Sequence, residues 1–297
     1  MILVGQAYPM GGRPIRKPQL ADMSAAAVLY VYGVVGPSTE LGRAPQGVDD
    51  APLRLVHDGS FAALVSDLEG TQYAPDAVER STEDVDWLAP RAIAHDRVLT
   101  WMSDRGPVVP FPMFSLFSTE SAVRTMLTER ARHLAAALQR ASEGREYALR
   151  VYRVNEELMA FASTLSPRLA ELERAASAAT PGQRYLLERK LETERKREVH
   201  TIGARTAHEV TEVLAPLAVA YKEAPVPRGE VGGGTGQPTL VLDIAFLVSP
   251  AGYESFRGAL TALVDRHASH GFRFDFTGPW PLYHFAQDVG GEPARVR

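Results

Sequence analysis

Cysteine is absent from the 297-residue sequence, which excludes disulfides, thiolate zinc sites and cysteine nucleophiles and suits a reducing compartment. Long apolar runs are absent too. The longest, LVLDIAFLV at 240–248, is interrupted by Asp243 and falls well short of the roughly 18–20 residues that span a bilayer. The opening MILVGQAYPMGGRPIRKPQLADM has four apolar residues before Gly5 and no A-x-A cleavage site, so it makes a poor signal peptide. Its Gly, Pro and Arg content reads as a disordered leader over 1–24, with Met1 or Met23 as the start. A formal net charge of −4 gives no global attraction to nucleic acid or anionic lipid. These absences leave a soluble, cytoplasmic protein with neither nucleic-acid nor membrane partners.

Catalytic and metal-binding motifs are missing in the same way. VGGGTGQP at 231–238 lacks the Gly-Lys-Ser/Thr ending of a phosphate loop, and a strand rather than a helix follows it, so it reads as a flexible strand–strand loop. There is no HExxH and no G-x-S-x-G. His267 and His270 lie near a helix end, and His200 and His208 are eight apart on a long helix; neither pair has carboxylates at metal-ligand spacing. His95-Asp96-Arg97 lacks the downstream asparagine and DFG of a kinase catalytic loop and reads as a solvated helix face. No catalytic residue, cofactor site or metal site is assigned.

What is present is the patterning of an α+β protein, 45% hydrophobic and 23% charged. AAAVLYVYGVV (25–35) is a buried strand. LRLVHDGSFAALVSDL (53–68) is a hairpin turning at Asp58-Gly59. The helix that follows is capped by Ser81 or Asp84, with Val85, Leu88, Ile93, Val98, Trp101 and Met102 as its apolar face and Pro90 separating a short first segment. PVVPFPMFSLF (107–117) is a short extended segment, and STESAVRTMLTERARHLAAALQRA a helix ending at Gly144. A domain boundary falls there, dividing an N-terminal α+β domain (25–144) from a C-terminal one (145–286), with 287–297 as a tail. In the second domain, EYALRVYRV is a strand and residues 155–176 a helix with Leu158, Phe161, Leu165, Leu169 and Leu172 at three- or four-residue spacing. A helix of about 30 residues follows, its ETERKRE centre charged all round, and the two form an antiparallel hairpin. The order β–αα–β–β–α–β is ferredoxin-like with a helical extension inserted at the first helix.

The last apolar stretch is TGPWPLYHFA at 277–286. Gly278-Pro279 is expected to stop the preceding strand, and Pro281 to hold Trp280, Tyr283 and Phe285 extended across a surface. Gly278, Pro279, Trp280, Pro281, Tyr283 and Phe285 are candidates for interdomain packing, with Trp280 and Tyr283 buried on one side, or for partner contact.

LYVYGVV, PVVPFPMFSLFSTESAV, PGQRYLLERK and FTGPWPLYHF, in this order over residues 27–286, resemble the gas vesicle protein GvpL/GvpF family. The terminal GPWP-x-Y-x-F element is the most specific of them. Leu282 stands where the family usually has proline, and Pro112-Met113 replaces a polar-Phe-Gly pattern. The resemblance implies a non-enzymatic accessory or minor structural protein of gas vesicles with two α+β domains. Its implied partners are the major gas vesicle shell protein and other gas vesicle accessory proteins, with a role in nucleation or assembly. The rival reading from fold alone is a ferredoxin-like small-ligand-binding or enzymatic module, with Asp243 and His267 or His270 converging in one pocket. A coiled-coil adaptor associating through 155–214 is a third.

Overall fold

The computed structural model describes residues 27–73, 75–226 and 237–286; the expected leader and tail, and most of the VGGGTGQP loop, lie outside the described residues. The first half is built around β1 (Val28–Val35), whose β-branched and aromatic residues are all buried. β2 (Arg54–His57) and β3 (Ala62–Leu68) form the expected hairpin. Asp58 accepts from the amides of Ser60 and Phe61, and Gly59 takes the positive φ of the turn. After α1 (Pro75–Ser81), α2 (Val85–Ser103) starts with the Asp84 side chain accepting from Asp86 N. Pro90 lies inside α2, which runs unbroken. The proline-rich segment contributes β4 (Val108–Pro110) and β5 (Leu116–Phe117), both antiparallel to β1. The order of this sheet is β2-β3-β1-β4, with β5 also on β1.

Where one helix was expected next, there are two: α3 (Glu120–Glu129), capped by Thr119, and α4 (Ala131–Glu143), divided at Arg130. The first sheet is covered on both faces. Tyr30, Tyr32 and Val35 meet α2 through Ala94, Val98 and Leu99. Leu29, Val31 and Val34 meet α3 and α4.

The second half runs β6 (Arg145–Arg153), α5 (Asn155–Leu165), α6 (Pro167–Ala178), α7 (Pro181–Leu214), β7 (Ala220–Glu223), β8 (Thr239–Val248), α8 (Tyr253–His267) and β9 (Phe272–Trp280). Its sheet has the order β7-β8-β6-β9, every pair antiparallel. The expected 155–176 helix is split where Ser166 caps α6 and Pro167 takes its first position. α7, at 34 residues, is about 51 Å long. The centre of α7 is not wholly solvated: Glu194 is buried against α6, 2.9 Å from Arg168.

Alternation along β6 and β8 sends Tyr147, Leu149, Val151, Leu242, Ile244, Phe246 and Val248 into a core with α5, α7 and α8. The opposite face sends Ala245 and Leu247, with Ala220, into the same apolar cluster that holds Val31, Val109 and Ala141. One core is therefore shared between the two sheets.

Phe256 is fully buried, with its ring 5.0 Å from that of Phe246. Phe256→Ala is expected to cost about 3–5 kcal/mol in urea unfolding. Leu186→Ser, on an exposed turn of α7, should stay within about 0.5 kcal/mol of wild type.

Candidate functional site between the two sheets

The strand entering the 277–286 stretch does not stop at Gly278-Pro279; β9 continues to Trp280. β9 is an edge strand, where a residue without N–H costs no ladder bond. The pairing slips between Ala148↔Thr277 and Glu146↔Trp280, accommodating Gly278 and Pro279, whose peptide bond is cis. Gly278 has φ +124, and a Cβ there would sit 2.9 Å from the Glu146 carbonyl oxygen, so a larger residue would be strained twice over.

Beyond Pro281 the chain forms a strap between the two halves. Leu282, Phe285 and Ala286 are buried in the shared core with Val109, Phe111, Ala141, Ala245 and Leu247. Burying the Leu and Phe side chains contributes about 1.5–3 kcal/mol each. Tyr283 packs instead against the cluster formed by β1 and α2. Trp280 does not share this burial: it is 37% exposed, its indole N–H donating to Thr277 Oγ1 at 3.1 Å. Its place on the outer end of an edge strand keeps it out of the core.

Two carboxylates fasten the strap. Glu146 of β6 is 1% exposed. It accepts from the His284 amide at 2.9 Å and from His284 Nδ1–H at 2.6 Å. Burial opposes the imidazolium, but the hydrogen bond and charge of Glu146, aided by Asp243, outweigh it and raise the His284 pKa. On the other half, Tyr283 O–H donates to Asp96 of α2 at 3.2 Å. Burial pushes the Asp96 carboxyl up against the opposing Tyr283 bond, and pushes the Tyr283 hydroxyl far up, further raised by Asp96. Lys222 Nζ lies 3.4 Å from the His284 carbonyl oxygen.

Of His95-Asp96-Arg97 only Arg97 is exposed. His95 is buried, its Nδ1 2.8 Å from Tyr30 Oη and its ring stacked on Tyr32 at 5.7 Å. Burial holds its pKa down to about 4, against a weaker opposing bond to the Phe111 backbone. Arg97 donates to the Gln46 carbonyl. Of the expected α2 face, Val98 and Met102 are buried, whereas Val85 is 71% and Ile93 67% exposed.

Asp243 pairs across the sheet with Arg150 at 3.2 Å, whereas His267 faces Glu209 of α7 and His270 the Phe161 ring. These groups engage different partners and form no common pocket. Among the described residues no group of three or more His, Asp or Glu could hold a metal ion. Of the strap's fastenings, Glu146 was not picked out from sequence, and Asp96 entered only within the His95-Asp96-Arg97 stretch read as solvated. The available signal was a glutamate at the head of the apolar run EYALRVYRV, on the strand face opposite Tyr147 and Leu149.

Two antiparallel sheets, a long helical arm and a strap that knits them define an α+β body with a shared core. The family model of the gas vesicle synthesis protein GvpL/GvpF matches residues 28–287, and the chain belongs to that family. It is 28% identical over 266 residues to gas vesicle protein L of Streptomyces sp. (strain CB03234), covering 89% of this chain and 94% of that one. Gas vesicle protein L2 of Halobacterium salinarum is 26% identical over 269 residues, covering 88% and 91%. Crystal structures of GvpF from Microcystis aeruginosa and from Anabaena sp. PCC7120 each superpose with a TM-score of 0.61 at 18% identity. They cover 88% of this chain and 99% and 97% of theirs, a likeness of fold.

Glu146→Ala would remove the carboxylate that accepts from the His284 amide and ring and is expected to cost about 3–5 kcal/mol by urea unfolding. His95 gives a second expectation. Because its folded pKa is depressed from 6.5 to about 4, the unfolded chain takes up the proton first as pH falls. Stability should therefore decline from about pH 6.5 to about pH 4, by up to about 3 kcal/mol. His95→Asn, though less stable overall, should show a flatter acid limb when ΔG is measured against pH.

Proposed function

We propose that the protein is a non-enzymatic gas vesicle accessory or minor structural protein that binds the major shell protein and assists nucleation or assembly, acting in the cytoplasm and at the vesicle. The observation that carries this reading is the family match, which runs through both sheets, the arm and the strap. Two further features support it. No helix among the described residues is long and apolar enough to cross a membrane. The arm also presents Tyr185 and Leu186 to solvent, apolar groups of the kind an interface covers.

In this reading, residues 145–286 are a ferredoxin-like domain in which α5–α7 replace the first helix; the sheet order β7-β8-β6-β9 with all pairs antiparallel supports it. Residues 25–144 are the N-terminal α+β domain, with 1–24 and 287–297 outside the two. Pro281, Tyr283 and Phe285 serve interdomain packing, while the exposed Gly278, Pro279 and Trp280 are available for partner contact. Other gas vesicle accessory proteins are further partners.

Co-expression with the major shell protein tests the reading. Specific capture, with more shell subunit kept in the soluble fraction than without this chain, is the expected result. Failure to capture that subunit would overturn the binding role. Trp280→Ala should unfold at the wild-type denaturant midpoint while retaining less shell protein; undiminished retention would remove Trp280 from the contact.

A further inference from the structure

The strap combines an apolar seat with an ionisable fastening. Leu282 and Phe285 hold it in the shared core. Between them, His284 sits on a carboxylate almost wholly removed from water, engaging both its oxygens. We propose that residues 281–286 form a proton-controlled clasp, seated between the two sheets while the His284–Glu146 pair is ionic and loosened when alkaline pH discharges it. This concerns regulation of the junction and does not depend on which partner the protein binds.

The surroundings of His284 set the direction. Glu146 on β6 and Asp243 on β8 favour its charged form; Lys222 on β7 disfavours it. Arg150 on β6 is drawn off by Asp243, and on α2 Asp96 bonds to the neighbouring Tyr283 rather than to His284. With the imidazolium present, the buried carboxylate is neutralised. Once the proton leaves, a neutral Nδ1–H still donates, but the charge on Glu146 loses its nearest counter-charge in a place where an uncompensated charge is costly. The folded pKa of His284 lies above the ordinary 6.5. The clasp's contribution is therefore complete below 6.5 and is lost as pH rises through the folded value. The Tyr283 hydroxyl does not share this window, since burial and Asp96 raise it far above its ordinary value and it keeps its proton throughout.

Hydrogen–deuterium exchange of the peptide spanning 281–286 in the full chain tests the clasp, each rate being corrected for intrinsic exchange and referred to a peptide from β8. From about pH 6 to about pH 9, wild-type protection of the strap should fall by about tenfold or more relative to β8. His284→Gln, which keeps a donor but cannot ionise, should show no such slope. If that variant fails to fold, Glu146→Gln removes the paired charge and should be equally flat. Protection in the wild type that does not change with pH, or a slope that persists in the variant, would overturn the proposal.

Discussion

The Glu146 carboxylate is the constraint on which the junction depends. It lies at the start of β6 on the face turned away from the second core, and its 1% exposure leaves water no part in its solvation. A charge so placed needs both a counter-charge and filled acceptor positions. His284 supplies both, through its ring and its own amide. That requirement fixes the path of the strap. With His284 over Glu146, Leu282 and Phe285 reach the shared core and Tyr283 reaches Asp96 on the other half. Gly278 and the slip in the β6–β9 ladder bring the chain to that point.

Much of this architecture was legible because it is locally determined. Strand alternation, the Asp58-Gly59 turn, the cap at Asp84 and the end of α4 at Gly144 each depend on a few adjacent residues, and each is present. What was not legible depends on neighbours far along the chain. Pro279 was expected to end a strand, yet on an edge it stays within β9, taken up by a slip in the pairing; edge position belongs to the sheet and not to the residue. Val98 and Met102 of the expected α2 face are buried, but Val85 and Ile93 are not, and the first sheet also receives Ala94, His95 and Leu99. His95 consequently read as solvated when it lies among tyrosines.

The candidate site shows the same division. The aromatic and proline content of 277–286 drew attention to the right segment, but Glu146 and His284 are separated by 138 residues. Neither has a local pattern that points to the other. Asp243 was noticed as an interruption in an apolar strand, and its pairing with Arg150 directly opposite in the ladder gives it a structural role. The Gly and Pro positions thus marked where the chain changes direction, and the contacts across the junction decided what the change achieves.

The position of the strap in the chain also orders events during synthesis. Residues 27–143 leave the ribosome well before 281–286, and domains begin folding as they emerge. The first sheet must therefore wait with Val109, Phe111 and the Asp96 carboxylate uncovered until β9 has been made and the strap can reach them. A nascent chain in that interval carries an open apolar seam, and arrival of the strap closes it from within.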